Sequence, residues 1–116
     1  MTTIENVISG LKSIGYKVNL SPQEAIGARE VVITLEELDI EVETSQCYFY
    51  TQTYALNWYA DNIVTIVSTI QALISAVEAS TVATARNFKF ITPDITREGT
   101  AYLITLKFQF TETIST

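Results

Sequence analysis

The chain has 116 residues, 47% apolar and 17% charged, with a net charge of -6, no histidine and one cysteine. Without histidine there is no Ser-His-Asp or Cys-His catalytic arrangement and no zinc site built on Cys and His. One cysteine closes no intrachain disulfide, and an acidic surface repels the phosphates that a DNA-groove reader must neutralise. The length suits one domain, residues 1–116. Thr, Ile and Val together supply 40 residues. These side chains lose rotamer freedom in helices and pack well on pleated sheets, so the chain reads as strand-rich. The start, Met1-Thr2-Thr3-Ile4-Glu5-Asn6, lacks the basic opening and apolar run of a signal peptide.

Residues 3–14 carry Ile4, Val7, Ile8, Leu11 and Ile14 on one helical stripe. Thr2 and Glu5 fit a capping box before it, and Gly15 stands where a C-terminal cap belongs. Tyr16 to Leu20 predicts a short strand, and Ser21-Pro22 opens a loop running to about Gly27. In 30–43, Val31, Ile33 and Leu35 share one parity while Leu38, Ile40 and Val42 share the other. A strand changes phase only through a bulge or turn. No Gly or Asn is there for a tight turn, so Glu36-Glu37 predicts a bulge.

After a loose turn at 44–46, residues 47–59 predict a second strand. Tyr48, Tyr50, Tyr54, Leu56 and Trp58 lie on one parity, and Cys47, Phe49, Ala55 and Tyr59 on the other. A helix is expected over 62–79, capped by Asp61 or Asn62, with Ile63, Val64, Ile66, Val67, Ile70, Leu73, Ile74 and Val77 as its apolar face. Its core, Asn62 to Val77, is free of charge but short of the roughly 20 residues a membrane span needs. Two strands close the chain, about 85–92 and 100–112, separated by a turn region over 92–99. The last strand alternates Tyr102, Ile104, Leu106, Phe108 and Phe110 inward with Thr105, Lys107 and Gln109 outward. The expected fold class is α+β: an antiparallel sheet with two helices on one face and a long hairpin.

Four features bear on function. Strands of about 13 residues would span about 43 Å, against a diameter of about 35 Å for a compact domain of this size. The hairpin therefore either projects as an arm or is bent back by its bulge. Six of the aromatics crowd into 48–59. Tyr48, Tyr50, Tyr54 and Trp58 suit a subunit or partner interface. Ordinary core and a base- or sugar-stacking platform are the other readings, and the absence of nearby Arg or Lys disfavours nucleic acid.

The back of the 62–79 helix, including Thr65 and Thr69, is small, polar and uncharged where a solvated face would carry Lys and Glu. It is either an interface or idle surface. Finally, Asp39, Glu41 and Glu43 line one strand face. Acidic side chains can hold a metal or work on glycosides, but three in a row on a flat strand do not converge on one ion. A solvated face that resists edge pairing is the simpler reading. Cys47 has no basic neighbour in sequence to activate it. No phosphate-cradling glycine loop exists, and no cofactor is expected.

The succession is familiar as a whole. A helix runs into Gly15-Tyr16-Lys17-Val18. The alternation Asp39-Ile40-Glu41-Val42-Glu43 follows, then a single helix, then Phe88-Lys89-Phe90 and Tyr102-Leu103-Ile104-Thr105-Leu106-Lys107-Phe108. This order and texture resemble the tail terminator proteins of long-tailed bacteriophages, also called tail completion or tail-to-head joining proteins. The resemblance implies a structural virion protein without catalytic residues. It implies a homo-oligomeric ring, usually a hexamer, that caps the tail tube and meets a head-completion or connector protein. DNA would pass as cargo, with Asp39, Glu41 and Glu43 facing the lumen. It would work in the virion tail, after assembly in the host cytoplasm, and no membrane is involved. The competing readings are a small ligand-binding or enzyme-like α+β domain and an accessory subunit of another assembly.

Overall fold

The computed structural model describes residues 3–20, 29–44, 47–80 and 85–115, with the side chains at 43, 44, 114 and 115 outside the description. The expected cap at Thr2 and the loop over 21–27 fall on positions outside the described residues. In chain order the elements are α1 (Thr3–Ser13), β1 (Lys17–Asn19), β2 (Glu30–Thr44), β3 (Cys47–Ala60), α2 (Ile63–Glu78), β4 (Ala85–Glu98) and β5 (Ala101–Ser115). The strands form one sheet in the order β1-β2-β3-β5-β4. This is the expected α+β fold.

Both helices lie on one face. Val7 and Leu11 of α1, and Ile66, Leu73 and Val77 of α2, share a single core with Val31, Ile33, Leu56, Trp58, Ile104, Leu106, Phe108 and Phe110. The inward parity read for the last strand is the one observed. Burying each such large side chain contributes about 1.5–3 kcal/mol. Phe108 and Phe110 stack with Phe88 at 5.8 Å each, and Tyr54 stacks on both at 5.7 and 5.9 Å.

Two expectations need correction. The sheet is not wholly antiparallel, because β1 pairs parallel with β2 through Lys17↔Glu30 and Asn19↔Val32. A parallel pair cannot be joined by a tight hairpin turn. Arg29, at φ 53°, leads into β2. Its guanidinium donates to the carbonyls of Ile14 and Gly15 and lies 4.7 Å over the Tyr16 ring. It thereby serves the end of α1 that Gly15, at φ 94°, turns.

The second correction concerns 92–99, which is strand rather than turn. β4 runs through Pro93 to Glu98, with register shifts between Arg86 and Lys89 and between Ile91 and Asp94. β4 is an edge strand, where a proline can leave its missing N–H on the unpaired side. Asn87, at φ 55°, sits within the first shift. The actual turn is Gly99-Thr100, between the pair Glu98↔Ala101, with Gly99 at φ 63° in the first central position.

The molecule measures 52 × 24 × 22 Å, so it is elongated. The helix layer ends at a buried polar cluster. Glu112 is 7% exposed. Its Oε1 accepts from Gln52 Nε2 at 2.9 Å, and its Oε2 accepts from the Thr3 backbone N–H and hydroxyl at 3.3 and 3.2 Å. A carboxylate at the start of α1 offsets the unpaired N–H groups and positive dipole end of that helix. Tyr54 closes the cluster by donating to Gln52 Oε1 at 2.6 Å.

Candidate assembly surface

The expected bulge is present, and its consequence is specific. Leu35 pairs with Tyr54 and Glu37 with Thr53, so Glu36 is the extra residue. Directly opposed residues share a face. Leu38 opposes Gln52, Ile40 opposes Tyr50 and Val42 opposes Tyr48. The bulge therefore cancels the change of phase in the sequence, and Leu35, Leu38, Ile40 and Val42 continue the face that Val31 and Ile33 begin. Leu35, Leu38 and Ile40 stand level with Phe108, Phe110 and Glu112 of β5, and Val42 lies past them, at the outer flank of the core. These four side chains are 53, 52, 55 and 59% exposed. β2 thus carries an exposed apolar row on its helix side that starts beside the core and runs on to the overhanging end of the β2–β3 hairpin.

A second apolar surface lies on α2. Asn62 caps the helix: its Oδ1 accepts from the Thr65 N–H at 2.9 Å and from the Thr65 hydroxyl at 3.0 Å. Ile66, Leu73 and Val77 face the core, but Ile63, Val64 and Val67 are 70, 78 and 52% exposed. Those three were expected on the inward face. The apolar residues wrap the first turns too widely for one sheet to cover, so the outward side holds them together with exposed Thr65, Ser68, Gln71, Ala72 and Ser75.

The predicted interface residues separate into two groups. Tyr48 and Tyr50 are half-buried on the helix side of the overhang. Tyr54 packs in the phenylalanine stack and Trp58 is 3% exposed within the core. Among the described residues the Trp58 Nε1–H has no hydrogen-bond partner. Burial, and then the charge of Glu112, raise the Tyr54 hydroxyl pKa above its ordinary value. Tyr59 donates to Glu98 at 2.9 Å, and this bond raises its pKa first. Thr65, half-buried Thr69, Trp58 and Tyr59 line a cleft of ≈ 110 Å³ with Tyr16, Arg29 and Glu30. Drug-sized ligands need roughly 300–1,000 Å³.

Asp39 and Glu41 oppose Thr51 and Phe49 on the face turned away from the helices and are exposed. The Glu43 side chain is outside the description. Among the described residues no three acidic or thiol side chains are grouped to hold a metal ion. That outer face is stitched by polar pairs. Thr51 and Thr111 hydroxyls meet at 3.0 Å, Gln109 donates to Thr53 at 2.9 Å and Thr105 donates to Asn57 at 2.9 Å.

Sequence reasoning missed that the same face carries three basic residues across the sheet, beside Asp94 and Glu98. Lys107 pairs with Ile91, Lys89 with Gln109 and Arg86 with Thr111, on strands β4 and β5. Arg86 also stacks 4.1 Å over Phe49. These residues are far from the acidic row in sequence, and only the strand order places them on its face. Among the described residues no helix is long and apolar enough to cross a membrane.

No protein-family model and no curated protein sequence matches the chain. Its structure is similar to a chain in a solved structure described as the virion of a native gene transfer agent particle. The TM-score is 0.52 at 13% identity, over 97% of this chain and 92% of that one. At that identity the likeness is one of fold.

Proposed function

We propose that this chain is a structural virion protein of a phage or phage-like particle. In this reading it assembles as a ring, a hexamer by resemblance to tail terminators, that caps the tail tube and joins tail to head. It performs no catalysis and needs no cofactor. The observation that carries the reading is a fold shared over nearly the full length with one chain of a gene transfer agent virion. The two uncovered apolar surfaces support it, since contiguous exposed apolar patches mark interaction sites. Its partners are copies of itself, the tail tube protein and a head-completion protein. Asp39, Glu41 and Glu43 face the lumen, where like charge lets DNA slide without sticking. The cleft beside Trp58 gives little room for the competing ligand-binding role.

The test is light scattering of the purified protein followed by negative-stain imaging, alone and with tail tubes. Rings, or density capping one end of the tube, are expected. A chain that stays monomeric at high concentration and leaves both tube ends bare contradicts the reading.

A further inference from the structure

The sheet has two open edges, and their charges are opposite at each level. Two rows of directly paired residues cross the outer face from β2 to β4: Asp39, Thr51, Thr111, Arg86, and Glu37, Thr53, Gln109, Lys89. Each row begins on an acid, ends on a base and is uncharged between. The four charged side chains are exposed, and none has an ion-pair partner among the described residues. Toward the other end of the strands the signs exchange. The row Asn19, Val32, Asn57, Thr105, Asp94 crosses all five strands. Two residues further along, Lys17 of β1 stands level with Thr96, between Asp94 and Glu98 of β4. The Lys17 side chain is 74% exposed. The levels of Lys89 and Asp94 differ by the four residues from Gln109 to Thr105, about 13 Å at 3.3 Å per residue. That exceeds the Debye length of about 8 Å at physiological salt, so the basic and acidic halves of β4 act separately.

We propose that these edges meet between copies: β4 of one protomer lies antiparallel along β2 of the next, with Arg86 beside Asp39 and Lys89 beside Glu37. The contact rests on the assembly role above and names how the copies meet. Three observations favour a second copy as the occupant. The levels agree, because each acid and its base already share a row within one chain. A copy turned about an axis along the strands brings them side by side with no slide. The directions agree, because β4 runs against β5, β5 against β3 and β3 against β2. In a neighbour of the same orientation β4 therefore runs against β2 and continues the antiparallel sheet. The outlines agree as well. β1 covers the edge of β2 only as far as Val32. The register shift of β4 between Ile91 and Asp94, with Pro93 inside it, falls at that level, where the strand must step outward to pass β1. Beyond the step Lys17 faces Asp94 and Glu98. An open strand edge offers unpaired N–H and C=O groups to such a neighbour. Because the two edges differ, the contact runs head to tail and closes into a ring when the rotation allows.

Glu37→Lys and Lys89→Glu test it, each alone and both in one chain. The two side chains are exposed and make no hydrogen bond or ion pair among the described residues, so each variant should melt like the parent. Sedimentation velocity is run on the parent and the three variants. Each single variant sets like charges against each other at the seam and is expected to need at least about tenfold more protein to associate. The double variant restores opposite charges there and is expected to associate like the parent. If only one single variant weakens association, or the double variant fails to recover it, Glu37 and Lys89 do not meet and the contact is wrong. If the parent forms rings that neither single variant disturbs, the contact is wrong and the ring stands. If the parent is monomeric throughout, both the contact and self-assembly fail.

Discussion

Trp58 and Tyr50 share a strand and a parity, and their positions along it give them different work. Trp58 lies under α2 in the core, whereas Tyr50 opposes Ile40 on the overhang. Trp58→Ala is expected to destabilise the monomer by about 3–5 kcal/mol, read as a fall in the denaturation midpoint. Tyr50→Arg, at a half-buried site, should lower that midpoint much less than Trp58→Ala while lowering assembly. A second residue-scale expectation concerns alkaline pH. Tyr54 has its pKa raised by burial and then by Glu112. The folded chain thus holds this proton more tightly than the unfolded one. The stability this provides is complete below the unfolded phenol value of about 10 and is lost as pH rises through the folded value. Tyr54→Phe removes that component, so its stability should fall less steeply above pH 10 than the parent's in a series of denaturant titrations.

At the scale of elements, local signals placed most of the structure. The change of phase at Glu36-Glu37 was legible as a bulge because a period of two tolerates no other continuous solution. Asn62 was legible as a cap because its side chain can satisfy an open N–H of the first turn. Asn62→Ala should cost about 0.5–2 kcal/mol in thermal or denaturant unfolding, with the loss confined to stability because Asn62 stands outside both apolar patches. β4 was not legible: Thr92-Pro93-Asp94 has turn chemistry, and only its position at the sheet edge makes a strand tolerable there. Neither was the parallel pairing of β1, which depends on the path of a connection rather than on the three residues of the strand. The inward and outward sides of α2 were blurred because nearly every position of its first turns is apolar, so periodicity alone could not say which side the sheet would take.

For the whole molecule, the division of the apolar residues between core and outer surface needed the fold. The core stops at Glu112 and the sheet continues. The long strands of that sheet give the chain its 52 Å length, and the exposed apolar row of β2 runs along the flank of the core and past its end. The charges have the same character. Asp39 and Glu41 of β2 lie on one side of the outer face, and Arg86, Lys89 and Lys107 lie on the other among Asp94 and Glu98, an arrangement that no single stretch of sequence displays. The central claim is that this chain works as one copy in a ring on a tail tube. Negative-stain imaging of tails incubated with the labelled protein tests it most directly. The account predicts label as a ring at one end of each tube; unlabelled ends with the protein monomeric in the supernatant would contradict it.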